Sequence, residues 1–228
     1  MACRARCLVC GETAGRAHAL CAACADALPW NGPACTTCAW PLPVPRPEQP
    51  PPLRCGPCLR QAPPLQAAHA AFVYAFPIDR LLPRFKFHHD LAVGRLLAGA
   101  MVAVFAPLPR PDAIVPVPLH LSRLRSRGYD QALELARPVA RCLGVPVHDR
   151  LLRRARQTAP QSRLDAASRV GNLRGAFAVR TPAGTAVPTH VALVDDVMTT
   201  GATLHAAARA LRAAGVARVD AWVCARAP

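Results

Sequence analysis

The chain has 228 residues, 52% of them hydrophobic, and a formal net charge of +15. That length supports one α/β domain plus a small module, and that apolar fraction supports a real core. The longest apolar run, Leu96 to Leu108, is too short for a bilayer and contains Pro107, so no membrane span is expected.

Lys86 is the only lysine, so the positive charge is almost entirely arginine. A GC-rich genome explains arginine over lysine, but not the excess of positive over negative charge. That excess favours anionic partners such as nucleotides, diphosphates or nucleic acid. Met1 to Cys7 holds no apolar h-region, so no secretory signal is expected. The expected location is the cytoplasm, a reducing compartment where eleven cysteines read as metal ligands before disulfides.

Residues 1–64 form a block with four Cys-x-x-Cys pairs: Cys7/Cys10, Cys21/Cys24, Cys35/Cys38 and Cys55/Cys58. Two intervening residues let both sulfurs reach one tetrahedral Zn²⁺ from a tight turn, so eight ligands predict two structural zinc ions. Sequential pairing leaves gaps of ten and sixteen residues, both fit for a ribbon hairpin; interleaved pairing stays open. A thioredoxin-like redox site would need one pair beside a βαβ unit, which this proline-rich block does not offer. Two filled sites would lower the net charge by four, to about +11. The block has too few apolar residues for its own core, so metal should dominate its stability. Pro41 to Pro52 reads as an extended polyproline excursion between knuckles. Cys142 and Cys224 sit in apolar runs and read as small core residues.

Residues 65–228 alternate strand and helix patterns, which predicts an α/β domain with a mainly parallel sheet and flanking helices. Strands are expected at Ala70–Phe76, Ala113–Leu119, Val145–Val147, Ala176–Val179, from Val191 to Asp195, and at Arg218–Cys224. Helices are expected over Ile78–His88, Leu91–Phe105, Gln131–Leu143, Leu164–Leu173 and Gly201–Ala214. From Arg123 to Arg174 there are twelve arginines against four acids, a density that favours anion binding for the cluster as a whole.

The most informative stretch is Val191-Ala-Leu-Val-Asp-Asp-Val-Met-Thr-Thr-Gly-Ala-Thr-Leu204. A buried strand meets two carboxylates, then a polar loop, then a helix. Adjacent buried carboxylates are costly unless they face a ligand, and strand carboxyl ends in open α/β sheets do face ligands. The loop offers backbone N–H groups, hydroxyls and a helix N-terminus, all suited to phosphate.

This stretch resembles the 5-phosphoribosyl 1-diphosphate (PRPP) signature of the type I phosphoribosyltransferases. The resemblance implies that Asp195 and Asp196 hold ribose hydroxyls and that Thr199, Thr200, Gly201, Ala202 and Thr203 grip the 5′-phosphate. Arg84-Phe-Lys-Phe87, the Val-Pro-Val-Pro run ending at Leu119, Arg127-Gly-Tyr-Asp-Gln131, Gln157-Thr-Ala-Pro-Gln161 and Arg169 to Phe177 follow the cysteine pairs in order. That order is similar to the ComF family, including its GntX-like members, phosphoribosyltransferase-like proteins with an amino-terminal double zinc ribbon. The similarity covers nearly the whole chain. One departure is Asp130, where the family usually has Asn; Asp serves as well if the position caps a helix, and less well if it touches an anion.

The resemblance implies a site for PRPP with Mg²⁺ carried by the substrate's own oxygens and water. Lys86, Arg127 and the turn at Pro118 are the expected diphosphate contacts. Thr199 stands where purine-salvage members carry a base, and position 2 is Ala2 rather than the nucleophilic Cys of amidophosphoribosyl transfer. The expected function is therefore a PRPP-binding protein linked to DNA uptake in natural transformation, of the pentosyltransferase class if active, with an unassigned acceptor. The alternative is a non-catalytic PRPP sensor that binds single-stranded DNA, although aromatic platforms are few at 5%.

Overall fold

The computed structural model describes residues 5–14, 19–44, 53–155, 175–181 and 186–228. Residues 45–52 of the expected proline excursion Pro41 to Pro52, and the expected helix Leu164–Leu173, lie outside them.

Four parallel strands form the main sheet in the order β1-β6-β5-β2: β1 Ala67–Val73, β2 Ala113–Pro116, β5 His190–Met198 and β6 Arg218–Arg226. A separate antiparallel ribbon joins β3 Leu152–Arg154 to β4 Phe177–Val179. The strands' alternating side chains divide the core into two layers. On one face Ile114, Ala192, Val194 and Trp222 meet helices α3 Ile78–Phe87, α4 Leu91–Phe105 and α6 Gln131–Leu143. Trp222 stacks on Phe105 with ring centroids 5.0 Å apart. On the other face Val191, Leu193 and Val219 meet Leu204 and Leu211 of α7 Ala202–Ala213 and the β3–β4 ribbon. The expected mainly parallel sheet with flanking helices is thus the observed architecture.

The sequence reading of α4 and α6 agrees with the structure to the residue. Asp90 and Asp130 cap them by accepting the N–H of Val93 and Leu133, and Gly144 ends α6 at φ +67°. Where two backbones must meet, expectation and structure diverge. β1 starts and ends three residues before its expected span, because it runs in register with Asp220–Arg226. β5 does not stop at Asp195; β6 extends far enough to pair Asp195 with Val223 and Met198 with Arg226. β2 ends at Pro116, short of Leu119, since Pro116 and Pro118 have no N–H for the ladder. Val145–Val147 makes only a single bridge, Val147 to Ile114. The arginine-rich stretch before Gly128 is itself a helix, α5 Leu121–Arg127, capped by His120 and closed by Gly128 at φ +77°. Cys142 is exposed rather than core, because α6 turns Val139, Ala140 and Leu143 inward and leaves position 142 outside; Cys224 is fully buried as expected.

The cysteine block, with short helices α1 Ala22–Asp26 and α2 Gly56–Arg60, does not hang free. Residues 29–36 run antiparallel along the outer edge of β1: Asn31 N–H donates to the Ala71 carbonyl, Val73 N–H to Pro29 and Ala68 N–H to Thr36. An edge strand's unpaired groups are thereby covered. Among the described residues no helix is long and apolar enough to cross a membrane.

Candidate functional site

β5 delivers Asp195 and Asp196 to the carboxyl end of the sheet, at a cavity of about 400 Å³ that Thr199, Thr203 and Pro118 also line. Asp196 is buried and its Oδ2 lies 2.7 Å from Lys86 Nζ, carried in by the last turn of α3. Among the described residues Asp195 has no such ion pair. Burial pushes its carboxyl up to about 8, and the neighbouring Asp196 charge pushes the same way, against the Asp196 N–H and the Lys86 ammonium.

Arginines form the facing wall. Arg123 and Arg127 come from α5, and Arg154 from β3. Arg127 lies 5.0 Å over the exposed ring of Phe87 and donates to Gln131 Oε1 at 3.0 Å. Burial and the Arg127 charge depress Arg123; burial likewise depresses Arg154, with Asp195 opposing. Expelling solvent from several like charges is costly, so a polyanion gains from entering.

Asp130 is answered by geometry. Its Oδ1 caps α6 through Leu133 N–H at 3.2 Å, and its Oδ2 accepts Leu119 N–H at 3.1 Å. One carboxylate therefore starts α6 and fixes the turn at Pro118. Burial raises its pKa, against these N–H groups.

Between β5 and α7, Gly201 adopts φ +75°. A Cβ there would lie 2.6 Å from Met198 Cε and 2.9 Å from His205 Nε2, so the loop closes tightly only with glycine. His205, behind the loop, is held neutral at a pKa of about 4, by burial and then by Arg209 and Arg226.

Of the residues expected at the site, Asp195, Asp196, Thr199, Thr203, Lys86, Pro118 and Arg127 line this one cavity. Thr200, Gly201 and Ala202 do not line it; they make the turn behind it, where Thr200 Oγ1 accepts Ala202 N–H at 3.4 Å. Arg123, Arg154 and Asp130 were not foreseen as lining residues. Arginine density was their signal, but no periodicity singles out a three-residue strand such as β3. The expected segments Gln157–Gln161 and Arg169–Arg174 lie outside the described residues.

The eight knuckle cysteines fall into two tetrads, Cys7, Cys10, Cys21, Cys24 and Cys35, Cys38, Cys55, Cys58, with sulfurs within 4.8 Å of one another in each. The sequential pairing left open by spacing is therefore the one present. Cys10 Sγ to Cys21 Sγ is 3.7 Å and Cys38 Sγ to Cys55 Sγ is 3.5 Å. Zn–S bonds of about 2.3 Å in a tetrahedron require sulfurs about 3.8 Å apart, so each tetrad fits one zinc ion. At the first cysteine of each tetrad, burial opposes ionisation of Cys7 and Cys35, but surrounding N–H groups outweigh it and bring both to about 6.

The fold and these two centres define a phosphoribosyltransferase-fold protein with a double zinc ribbon. Residues 4–59 match the double zinc ribbon domain family and residues 129–228 the phosphoribosyl transferase domain family. Competence protein F of Haemophilus influenzae is 36% identical over 179 residues, which is 76% of this chain and 78% of that protein. DNA utilization protein YhgH of Salmonella typhi is 33% identical over 227 residues, 96% of each chain. Competence protein ComFC of Bacillus subtilis is 30% identical over 156 residues, 67% of this chain and 61% of that one. The chain belongs to the ComF family.

Proposed function

We propose that the cavity binds PRPP with Mg²⁺, and that the protein works in the uptake or use of DNA. The reading is carried by one juxtaposition: an acidic pair at a strand end, a tight threonine loop and an arginine wall around a single cavity. Asp195 and Asp196 would accept the ribose hydroxyls, and the Thr199–Thr203 loop would receive the 5′-phosphate at the start of α7. Lys86, Arg123, Arg127 and Arg154 would face the diphosphate, whose oxygens carry Mg²⁺. If a ribosyl group is transferred, the arginines stabilise the departing diphosphate and the acidic pair orients the ribose under its developing positive charge. Thr199 supplies no base at the position used by purine-salvage enzymes, so an acceptor would have to bring its own nucleophile. The relatives' names, competence protein and DNA utilization protein, support the link to DNA.

Calorimetric titration with Mg²⁺ and PRPP tests the site. Micromolar binding that is lost in Asp195→Ala/Asp196→Ala is expected; no binding by the wild type would sink this reading. Diphosphate release across base and amine acceptors then separates a transferase from a sensor.

A second reading rests on the exposed Phe87 ring under Arg127, itself a cavity-lining residue, a small platform for a base beside cations. Here the protein binds single-stranded DNA and PRPP modulates it. Binding whose affinity falls steeply with salt is the expected result, and a flat salt dependence counts against it.

A further inference from the structure

Arg226, near the end of β6, is buried at 5% exposure and pairs with no carboxylate among the described residues. Its Nε donates to the Cys38 carbonyl at 3.0 Å, in the second cysteine tetrad. Its Nη1 donates to the Met198 carbonyl at 2.9 Å and to that of Ala227. The guanidinium carbon lies 4.9 Å over the Trp40 ring, and Trp40 returns to the knuckle by accepting Cys35 N–H at 2.8 Å. Met198 immediately precedes the threonine loop, and its Cε packs beneath Gly201. Ala227 donates its N–H to Met198 at 3.0 Å and lines the cavity.

A buried guanidinium needs both hydrogen-bond partners and a counter-charge. Carbonyls supply the partners. Four thiolates around Zn²⁺ carry a net −2, and Cys38, whose carbonyl Arg226 binds, is itself a member of the Cys35, Cys38, Cys55, Cys58 tetrad. A filled tetrad would therefore both fix that carbonyl and supply the charge. Arg84 makes a like contact on the other ribbon: it donates to the Leu8 carbonyl between Cys7 and Cys10, and lies two residues before Lys86.

We propose that Arg226 is a positioning residue which fastens the phosphate loop to the Cys35/Cys38 knuckle of the second tetrad, so that zinc binding at that tetrad and phosphoribosyl binding in the cavity are coupled. The ligand half rests on the function proposed above; the mechanical half, between knuckle and loop, does not. Coupling is reciprocal: a ligand that orders the loop must also hold the zinc more tightly.

The test compares full-length wild type with Arg226→Gln, using hydrogen exchange read by mass spectrometry over residues 198–203. Arg226→Gln is expected to exchange about tenfold faster there, with the β5 core Val191–Val194 unchanged. Equal exchange at 198–203, or equal acceleration throughout β5, overturns the proposal, since a purely structural loss would loosen the whole sheet. Cys58→Ser, which opens the second tetrad, should reproduce the loop effect; Cys10→Ser, which opens the first, should not. In the second arm, Mg²⁺ with PRPP should slow zinc transfer from wild type to a chromogenic chelator, and leave the rate in Arg226→Gln unchanged. If PRPP fails to bind the wild type at all, the phosphoribosyl reading falls, while the exchange measurement still decides whether Arg226 joins knuckle and loop.

Discussion

Lys86 Nζ lies 2.7 Å from Asp196 Oδ2, so the chain's single lysine and a buried member of its acidic pair are locked together across the cavity. A ligand with its own cation must exchange this contact. Lys86→Met leaves Asp196 with its cation removed in a mostly desolvated place. The expected cost is about 1–3 kcal/mol in urea unfolding, discounted for the partial exposure of Lys86. Lys86→Met/Asp196→Asn should recover most of it, because the unpaired charge is gone. Additive losses in this double-mutant cycle would contradict the pairing.

Asp195 predicts a pH dependence with a definite sign. Burial and the Asp196 charge push its carboxyl up to about 8 in the folded chain, against about 4 when unfolded. Between those values the native state holds the extra proton, so this group's contribution to stability falls as pH rises through the window. Asp195→Asn should flatten that fall. Ribose hydroxyls donate best to the ionised carboxylate, so PRPP binding should release a proton near neutrality and tighten as pH approaches 8. Calorimetry in buffers of different ionisation enthalpy checks this; zero proton release at pH 7 would exclude it.

Asp130 holds two N–H groups with one carboxylate, those of Leu119 and Leu133. Asp130→Ala should cost about 1–2 kcal/mol by removing the helix cap and freeing the turn. Asp130→Asn has one carbonyl oxygen and meets the second donor with an amide NH₂. It should keep most of the stability while weakening PRPP binding through the Pro118 turn. Denaturation and titration of the two variants separate the roles, and equal losses on both axes would contradict them.

Gly201→Ala should cost about 1–2 kcal/mol from the left-handed backbone alone. Its Cβ would also push on Met198 Cε and His205, so loop geometry should change before global stability does. Thermal unfolding and PRPP titration together read this; a neutral Gly201→Ala would show that the loop does not depend on glycine at this position.

Some of the architecture is written in local chemistry. α4 and α6 were legible because each has a cap, an apolar stripe and, for α6, a closing glycine, all within one short window. α5 was not, since seven residues are too few to display a period, and its ends depend on His120 and Gly128. The acidic pair and threonine loop were legible as a motif. Arg154 was not, because β3 exists only through its pairing with β4 across residues 155–176.

Sequence alone determined the composition of both centres: eight thiols at knuckle spacing, and two carboxylates followed by a phosphate-shaped loop. Those are short-range patterns, set by residues within a few positions of one another. Tertiary structure decided which knuckles share a tetrad, that Lys86 closes on Asp196, and that residues 29–36 cover the edge of β1. It also decided that Arg226 reaches back 188 positions to the Cys38 carbonyl. No periodicity encodes a contact between positions so far apart; it exists because the register of a parallel sheet brings the end of β6 beside both the zinc knuckle and the start of the loop.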